Sequence, residues 1–293
     1  MLLRPPMRHL FVLLALMLSG AYGADEALDL DKKHPLQIVA ATAPEAAVIA
    51  RRAGTILVGN FNHKGKTYLA EVPIESLQRS FLVISDFARG RWTRIAHAGV
   101  FFETPLNLPV RLYSLDNPSP VQELPGFMYS LYFAAPEGVE YDPREGMKDG
   151  AYQSTHTLKS PRELALYARA CDALLKKAAE GAGKSTKDIK PSTLLYEIDF
   201  NPNENGNFAR VLIEKGSAAG TSQPYNTLCK NCSHPIFAAL EQVRPPSLLR
   251  KCPLLLTQLV KATPARSPIL LFTRGLLRRK LAFEDHPLFQ RAK

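Results

Sequence analysis

Two side chains have the type and setting to carry out covalent chemistry together, Cys232 and His97. Cys232 closes the segment Tyr225-Asn226-Thr227-Leu228-Cys229-Lys230-Asn231-Cys232-Ser233, which runs into an apolar stretch with Ile236, Phe237, Leu240 and Val243 at helical spacing. A cysteine at a helix start faces unpaired backbone N–H groups and the positive end of the helix dipole, which favour thiolate over thiol. On that ground alone Cys232 is expected to alkylate near pH 6 much faster than Cys171. A nucleophile also needs a base. His34, His63, His156 and His286 stand in polar or terminal stretches typical of solvated imidazoles, whereas His97 heads the strongly apolar run Arg94 to Phe102, with the small residues Ala96 and Ala98 beside it. In such a pair His97 takes the thiol proton, Cys232 attacks an ester or amide carbonyl, and backbone amides at the helix start stabilise the oxyanion. Asn107, Ser114 and Asp116 follow His97 as candidates for the residue that orients it.

A histidine on a strand, followed late in the chain by Asn-Cys at a helix start, resembles circularly permuted papain-like folds. More narrowly, Tyr225-Asn226-x-Leu228-x-x-Asn231-Cys232-Ser233 resembles the Tyr-Asn-x-Leu-x-Asp-Asn-Cys-Ser/Thr signature of the N-terminal periplasmic domain of Lnb-type lipoprotein N-acyltransferases. The resemblance covers some nine residues. It implies a papain-like thiol fold with Cys232 as the acyl-accepting nucleophile and His97 as its base. Lys230 stands where that signature has an acidic residue, and Ala96 precedes His97 where the family has glycine.

The same cysteines permit other readings. Cys229-Lys230-Asn231-Cys232 is a C-x-x-C ahead of a helix, as in thiol-disulfide oxidoreductases, although those carry it after the first strand of a βαβ unit. Cys229 or Cys232 paired with Cys252 would make a disulfide staple in a non-enzymatic envelope protein. A Cys229 to Cys252 bridge leaves Cys232 free for chemistry. The expected reaction uses no cofactor and no metal: Cys229, Cys232 and His234 lack a fourth zinc ligand at familiar spacing. Asn201 to Asn207 begins with asparagine where a calcium loop needs aspartate, and reads as a hairpin turn.

The elements that must position the pair follow from periodicity. Apolar, β-prone runs at Gly54 to Phe61, Thr67 to Val72, Ser80 to Phe87, Arg91 to Glu103, Val110 to Leu115 and Phe127 to Phe133 predict antiparallel strands. Ser160-Pro161-Arg162-Glu163 predicts a capped helix start, and Gly181 its end. Along that helix Leu164, Tyr167, Ala168, Cys171, Leu174 and Leu175 form one buried stripe, so Cys171 reads as a structural thiol. Thr193 to Phe200 and Phe208 to Glu214 read as two strands of a hairpin. Ala43 to Arg52, Ile236 to Val243, Ser247 to Ala262 and Ile269 to Phe283 read as helices. The order predicts an α+β fold, a mostly antiparallel sheet packed with helices.

Arg4 and Arg8 ahead of the apolar run Leu10 to Leu18, with Ala21 and Gly23 at the −3 and −1 positions, predict a signal peptide over residues 1–23 and a periplasmic or secreted protein. Residues 24–33 read as a flexible acidic lead-in, 34–243 as the thiol-site domain and 244–293 as a basic helical region. Of the chain's net charge of +10, the last fifty residues hold nearly all, eleven Lys and Arg against Glu284 and Asp285. Such a region suits peripheral contact with an anionic membrane surface. Nucleic acid is not an expected partner, because an exported chain without a binding module has none to meet. The expected substrate is an ester or amide of the cell envelope, whether a lipoprotein, a cell-wall peptide or a small amide.

Overall fold

Alternating apolar residues in the first half of the chain build most of one large sheet. The computed structural model describes residues 46–89, 94–114, 119–134, 152–219, 224–225, 231–245 and 263–290. The predicted signal peptide, the acidic lead-in, Asp116, Cys229, Cys252 and the predicted helix from Ser247 to Ala262 lie outside these residues. The strands are β1 (Ala47–Arg52), β2 (Thr55–His63), β3 (Lys66–Val72), β4 (Arg79–Arg89), β5 (Arg94–Glu103), β6 (Val110–Tyr113), β7 (Gln122–Leu124), β8 (Gly126–Ala134), β9 (Tyr152–Lys159), β10 (Thr193–Ile198), β11 (Pro224–Tyr225) and β12 (Leu277–Ala282). Their order is β12-β10-β4-β5-β8-β9-β2-β3-β6-β7, with β1 added on β2 and β11 on β9. Every pairing is antiparallel except β2 with β9, where Asn62 lies opposite Lys159. The α+β architecture with a mostly antiparallel sheet is therefore as the element order requires.

Helices cover both faces. On one, α1 (Pro161–Gly181) packs Leu164 and Ala165 over Phe81, Val83, Phe101, Met128 and Leu195. Ser160 caps this helix by accepting the Glu163 N–H at 3.4 Å. On the other, α2 (Pro202–Ala219) and α3 (Ser233–Val243) bring Phe208, Leu212, Ile236, Phe237 and Leu240 onto Leu82, Ile84, Ala98, Val100 and Phe102. The shorter helix α4 (Ser267–Thr273) adds Leu270 and Leu271 to this second core.

Four expectations are corrected. Residues 47–52, read as part of a helix, form β1. The segment from Phe208 to Glu214, read as a strand, lies inside α2, because Asn201 begins a helix instead of a hairpin turn. Its Oδ1 accepts the Glu204 N–H at 3.0 Å while Glu204 Oε2 accepts the Asn201 N–H at 2.9 Å, a reciprocal cap with Pro202 at the first helical position. The predicted helix from Ile269 to Phe283 ends at Thr273, and its remainder is the edge strand β12 on β10. A terminal helix α5 (Pro287–Gln290) then seats Phe289 against Phe101 and Phe283. The described part of 244–293 is thus woven into the same sheet, and not a separate helical region.

Most of the described basic residues of that region are engaged. Arg244 binds Glu204 and lies over the Phe200 ring, Arg274 Nη2 sits 2.7 Å from Glu241 Oε1, and Arg278 and Arg279 both pair with the buried Glu197. Burial works against the charge of Glu204, and its hydrogen bonds from Arg244 and Asn201 outweigh that, holding its carboxyl below the usual range. The carboxylate that caps α2 is therefore also the one that ties it to the end of α3. Replacing Asn201 with alanine should cost about 1 kcal/mol of stability, read as a lowered urea midpoint with an unchanged slope, and Asn201→Ser should recover most of it. A hairpin at this position would predict no such loss.

Candidate functional site

The ladder between β5 and β8 runs only from Glu103↔Gly126 to Gly99↔Ser130. Beyond it β8 continues against β9 while β5 continues against β4, so the two strands fork. Gly99 marks the branch point: a Cβ there would stand 2.3 Å from Met128 Cε and 2.7 Å from Ser130 Oγ, so only glycine admits this approach of β8. The next residue towards the fork, Ala98, donates its N–H to Cys232 Sγ at 3.3 Å. Cys232 stands at the start of α3, held there by Asn231. The buried Asn231 side chain accepts the Ser233 N–H at 3.0 Å and the Ser233 hydroxyl at 2.7 Å, and His234 Nδ1 lies 3.3 Å away. Asparagine before the cysteine is thus the clamp of the first helical turn.

This arrangement brings Cys232 to the residue following His97. Since Ala98 N is one peptide bond from His97, the sulfur lies within roughly 6 Å of the His97 Cα. Strand alternation turns the His97 side chain to the α1 face of the sheet. There it stacks on Tyr132 at 4.4 Å between ring centres with an 18° interplanar angle, and meets the Tyr167 ring edge-on at 5.9 Å. The imidazole is thereby oriented by two aromatic rings. Of the three residues considered for that task, Asn107 is exposed in the loop at the opposite end of β5, Ser114 follows β6 on the far side of the sheet, and Asp116 lies outside the described residues.

Burial changes the electrostatics expected of the thiol. Cys232 is 3% exposed, and burial pushes it up to about 12, against the pull of the Ala98, Cys232 and Ser233 N–H groups. The helix start does supply donors to the sulfur, and desolvation outweighs them. Cys171, on the buried stripe of α1 as expected, is likewise pushed up to about 12 by burial, with the Tyr167 hydroxyl pulling the other way. Both cysteines are free thiols.

Three histidines read as solvated are buried. His63, His156 and His286 are 3%, 6% and 1% exposed, and burial lowers each of them from the ordinary imidazole value. His156, lowered to about 4, has its Nδ1 2.5 Å from the Tyr129 hydroxyl on β8.

Residues that the sequence did not single out complete the site. Lys159, at the end of β9, is 3% exposed with its Nζ 3.8 Å over the Tyr132 ring. Burial pushes its ammonium down to about 7, with Glu163 acting in the opposite sense. Glu163, Tyr167 and Cys171 are spaced i, i+4, i+8 and so share the stripe of α1 that faces these groups. The signal for Tyr167 was present in that stripe. Lys159 gives none, because Tyr152 to Lys159 is mostly polar and lacks the apolar alternation of a strand.

No family model matches the chain, and neither a curated protein nor a solved structure matches it significantly.

Two outcomes follow. Iodoacetamide should modify Cys232 in the folded chain slowly at pH 7, about as slowly as Cys171, with a rate rising roughly tenfold per pH unit towards the raised pKa; rapid labelling at pH 6 would mean an exposed thiolate. For His156 the folded value lies below the unfolded one, so between about 6.5 and 4 the unfolded chain binds the extra proton. Stability is full above pH 6.5 and falls as the pH drops through that window. The His156 share of the fall should be at most about 3 kcal/mol and should disappear in His156→Gln, measured by urea unfolding at successive pH values.

Proposed function

We propose that this chain is an exported cysteine-dependent acyl-transfer enzyme acting on an ester or amide of the cell envelope. Cys232 is the nucleophile and His97 its base, in a fold of the permuted papain-like kind. The observation that carries the reading is the fork of β5 from β8, where the Cys232 sulfur meets the N–H of the residue that follows His97.

The raised thiol pKa decides the form of the chemistry. Cys232 rests as a thiol at neutral pH, so no thiolate-imidazolium pair stands ready. The proton must leave as the sulfur attacks. His97 accepts it while the S–C bond forms and the carbonyl π electrons move onto oxygen. Backbone N–H groups at the start of α3 stabilise that oxyanion. Collapse expels the alcohol or amine, which leaves with the proton from His97, and a thioester remains on Cys232. A water or an amine then adds to the thioester with His97 again as base, and the thiol is restored.

The free state of Cys232 favours this over a staple that includes Cys232. A bridge between Cys229 and Cys252 lies outside the described residues and is compatible with either role.

Mature protein purified from an oxidising compartment should turn over p-nitrophenyl acyl esters and show an acyl mass increment on Cys232. Cys232→Ala should abolish both. His97→Gln should lower kcat/KM by about 10²- to 10⁴-fold while leaving the thermal midpoint close to that of the parent. Adding hydroxylamine or an amino acid ester separates transfer from hydrolysis. Undiminished turnover in Cys232→Ala would remove the reading.

A further inference from the structure

Between α1 and the sheet lies a lysine that the acyl-transfer chemistry does not use. Lys159 is buried, and its contacts among the described residues are the face of Tyr132 and the longer-range field of Glu163. A ring face is a weak partner for an ammonium removed from water: it contributes at most a few kcal/mol, whereas the effective penalty of burying the charge is several. Around it are acceptors that are also unmatched. The buried oxygens Asn62 Oδ1 and Glu163 Oε1 make no hydrogen bond among the described residues. Asn62 stands directly opposite Lys159 where β2 meets β9, and Glu163 lies in the first turn of α1, which begins two residues after Lys159. Among the described residues, one corner of the fold thus holds an ammonium with no direct hydrogen bond or ion pair, a carboxylate that acts on it only through its field, and two acceptor oxygens without donors. It is also close to the reacting pair. With Nζ 3.8 Å from the centre of the Tyr132 ring and that ring 4.4 Å from the centre of His97, the ammonium lies within about 8 Å of the imidazole.

We infer that this corner is a specificity site for a carboxylate that has an N–H donor beside it, as at the carboxy-terminal end of a peptide. Lys159 takes the carboxylate, and Asn62 Oδ1 and Glu163 Oε1 take neighbouring N–H groups. An extended residue spans about 3.3–3.6 Å, so a carboxylate held at Lys159 puts a carbonyl one or two residues upstream beside His97. The inference rests on the thiol-site reading for the statement that this carbonyl is the one attacked, and it narrows the substrate of that site to an amide near a free carboxylate. Binding of the carboxylate itself does not depend on Cys232. Among the described residues, Tyr132 on β8 lies against the ammonium and Glu163 on α1 acts on it through its field, while His63 on β2, beside Asn62, feels the same Glu163 together with Lys64 and Arg162.

The test is the titration of Lys159 in the full mature chain labelled with 13C-lysine, its Cε resonance assigned through Lys159→Arg. Without additions it should titrate far below an ordinary lysine. N-acetylglycine should raise its pKa by at least one unit, a tenfold change, at lower concentration than acetate does, and the same shift should appear in Cys232→Ala. Asn62→Ala should weaken N-acetylglycine more than acetate. Three results would overturn the assignment: an ordinary lysine titration before any addition, since the chain would then supply the anion itself; no response to either carboxylate; or a response to inorganic phosphate alone. If Cys232→Ala retains ester turnover while the carboxylate shift persists, the thiol reading fails and the binding site stands.

Discussion

The N–H of Ala98 is buried, and a buried donor without an acceptor costs about 1–3 kcal/mol. Its natural partner would be a carbonyl of β8, but that strand has turned away to pair with β9 alone. Cys232 Sγ fills the position that the ladder leaves open. This one contact fixes where the start of α3 can sit, and so which residues of the chain meet. It explains why α3 is clamped at its start by Asn231 and at its end through Arg244 to Glu204 on α2. A helix free to slide along the sheet would leave the Ala98 donor unmatched. It also explains the glycine at position 99, since the branch point requires β8 to approach closer than any side chain permits.

The layer beneath α1 is unusually polar for the interior of a helix-on-sheet fold. Ser85, His97, Ser130, Thr157 and Lys159 all turn buried side chains into it, and α1 answers with Glu163, Tyr167 and Cys171. Apolar residues of similar volume would pack there at lower cost, because desolvating an ammonium, an imidazole and a thiol gains nothing for stability. The same desolvation sets the protonation states. It keeps both thiols protonated and brings Lys159 into the range where it exchanges protons near neutral pH. Groups displaced in this manner cluster where a protein binds or reacts. The aromatic rings of Tyr132 and Tyr167 are the mechanical part of the layer, holding the imidazole plane against one face and one edge.

Where sequence and structure part, the physical reasons are specific. Asparagine, proline and glutamate from Asn201 to Glu204 serve a helix cap as well as they serve a turn, and the reciprocal Asn201–Glu204 bonds decide for the helix. Leu277 to Ala282 carries the leucine and arginine spacing of an amphipathic helix. Its arginines instead find the buried Glu197 across a strand pair, so charge pairing outweighs periodicity. The strand β9 has no apolar signature because it buries serine, threonine, histidine and lysine, residue types that a hydrophobic pattern scores as surface.

The sequence by itself determined the antiparallel first half, the capped helix α1 with Cys171 on its inner face, and the placing of Cys232 at a helix start. These are local matters: alternation, capping chemistry and the dipole of a first turn act over a few residues and are written in them. Only the tertiary structure decided that the two segments meet at a fork, that desolvation overrides the helix dipole at the thiol, that His63, His156 and His286 are buried as His97 is, and that Tyr132 and Tyr167 hold the imidazole while Lys159 lies over the Tyr132 ring. Those outcomes depend on which strand leaves which, and on how much water remains around a charge. Both are set by contacts between residues as much as 134 positions apart, over which periodicity carries no information.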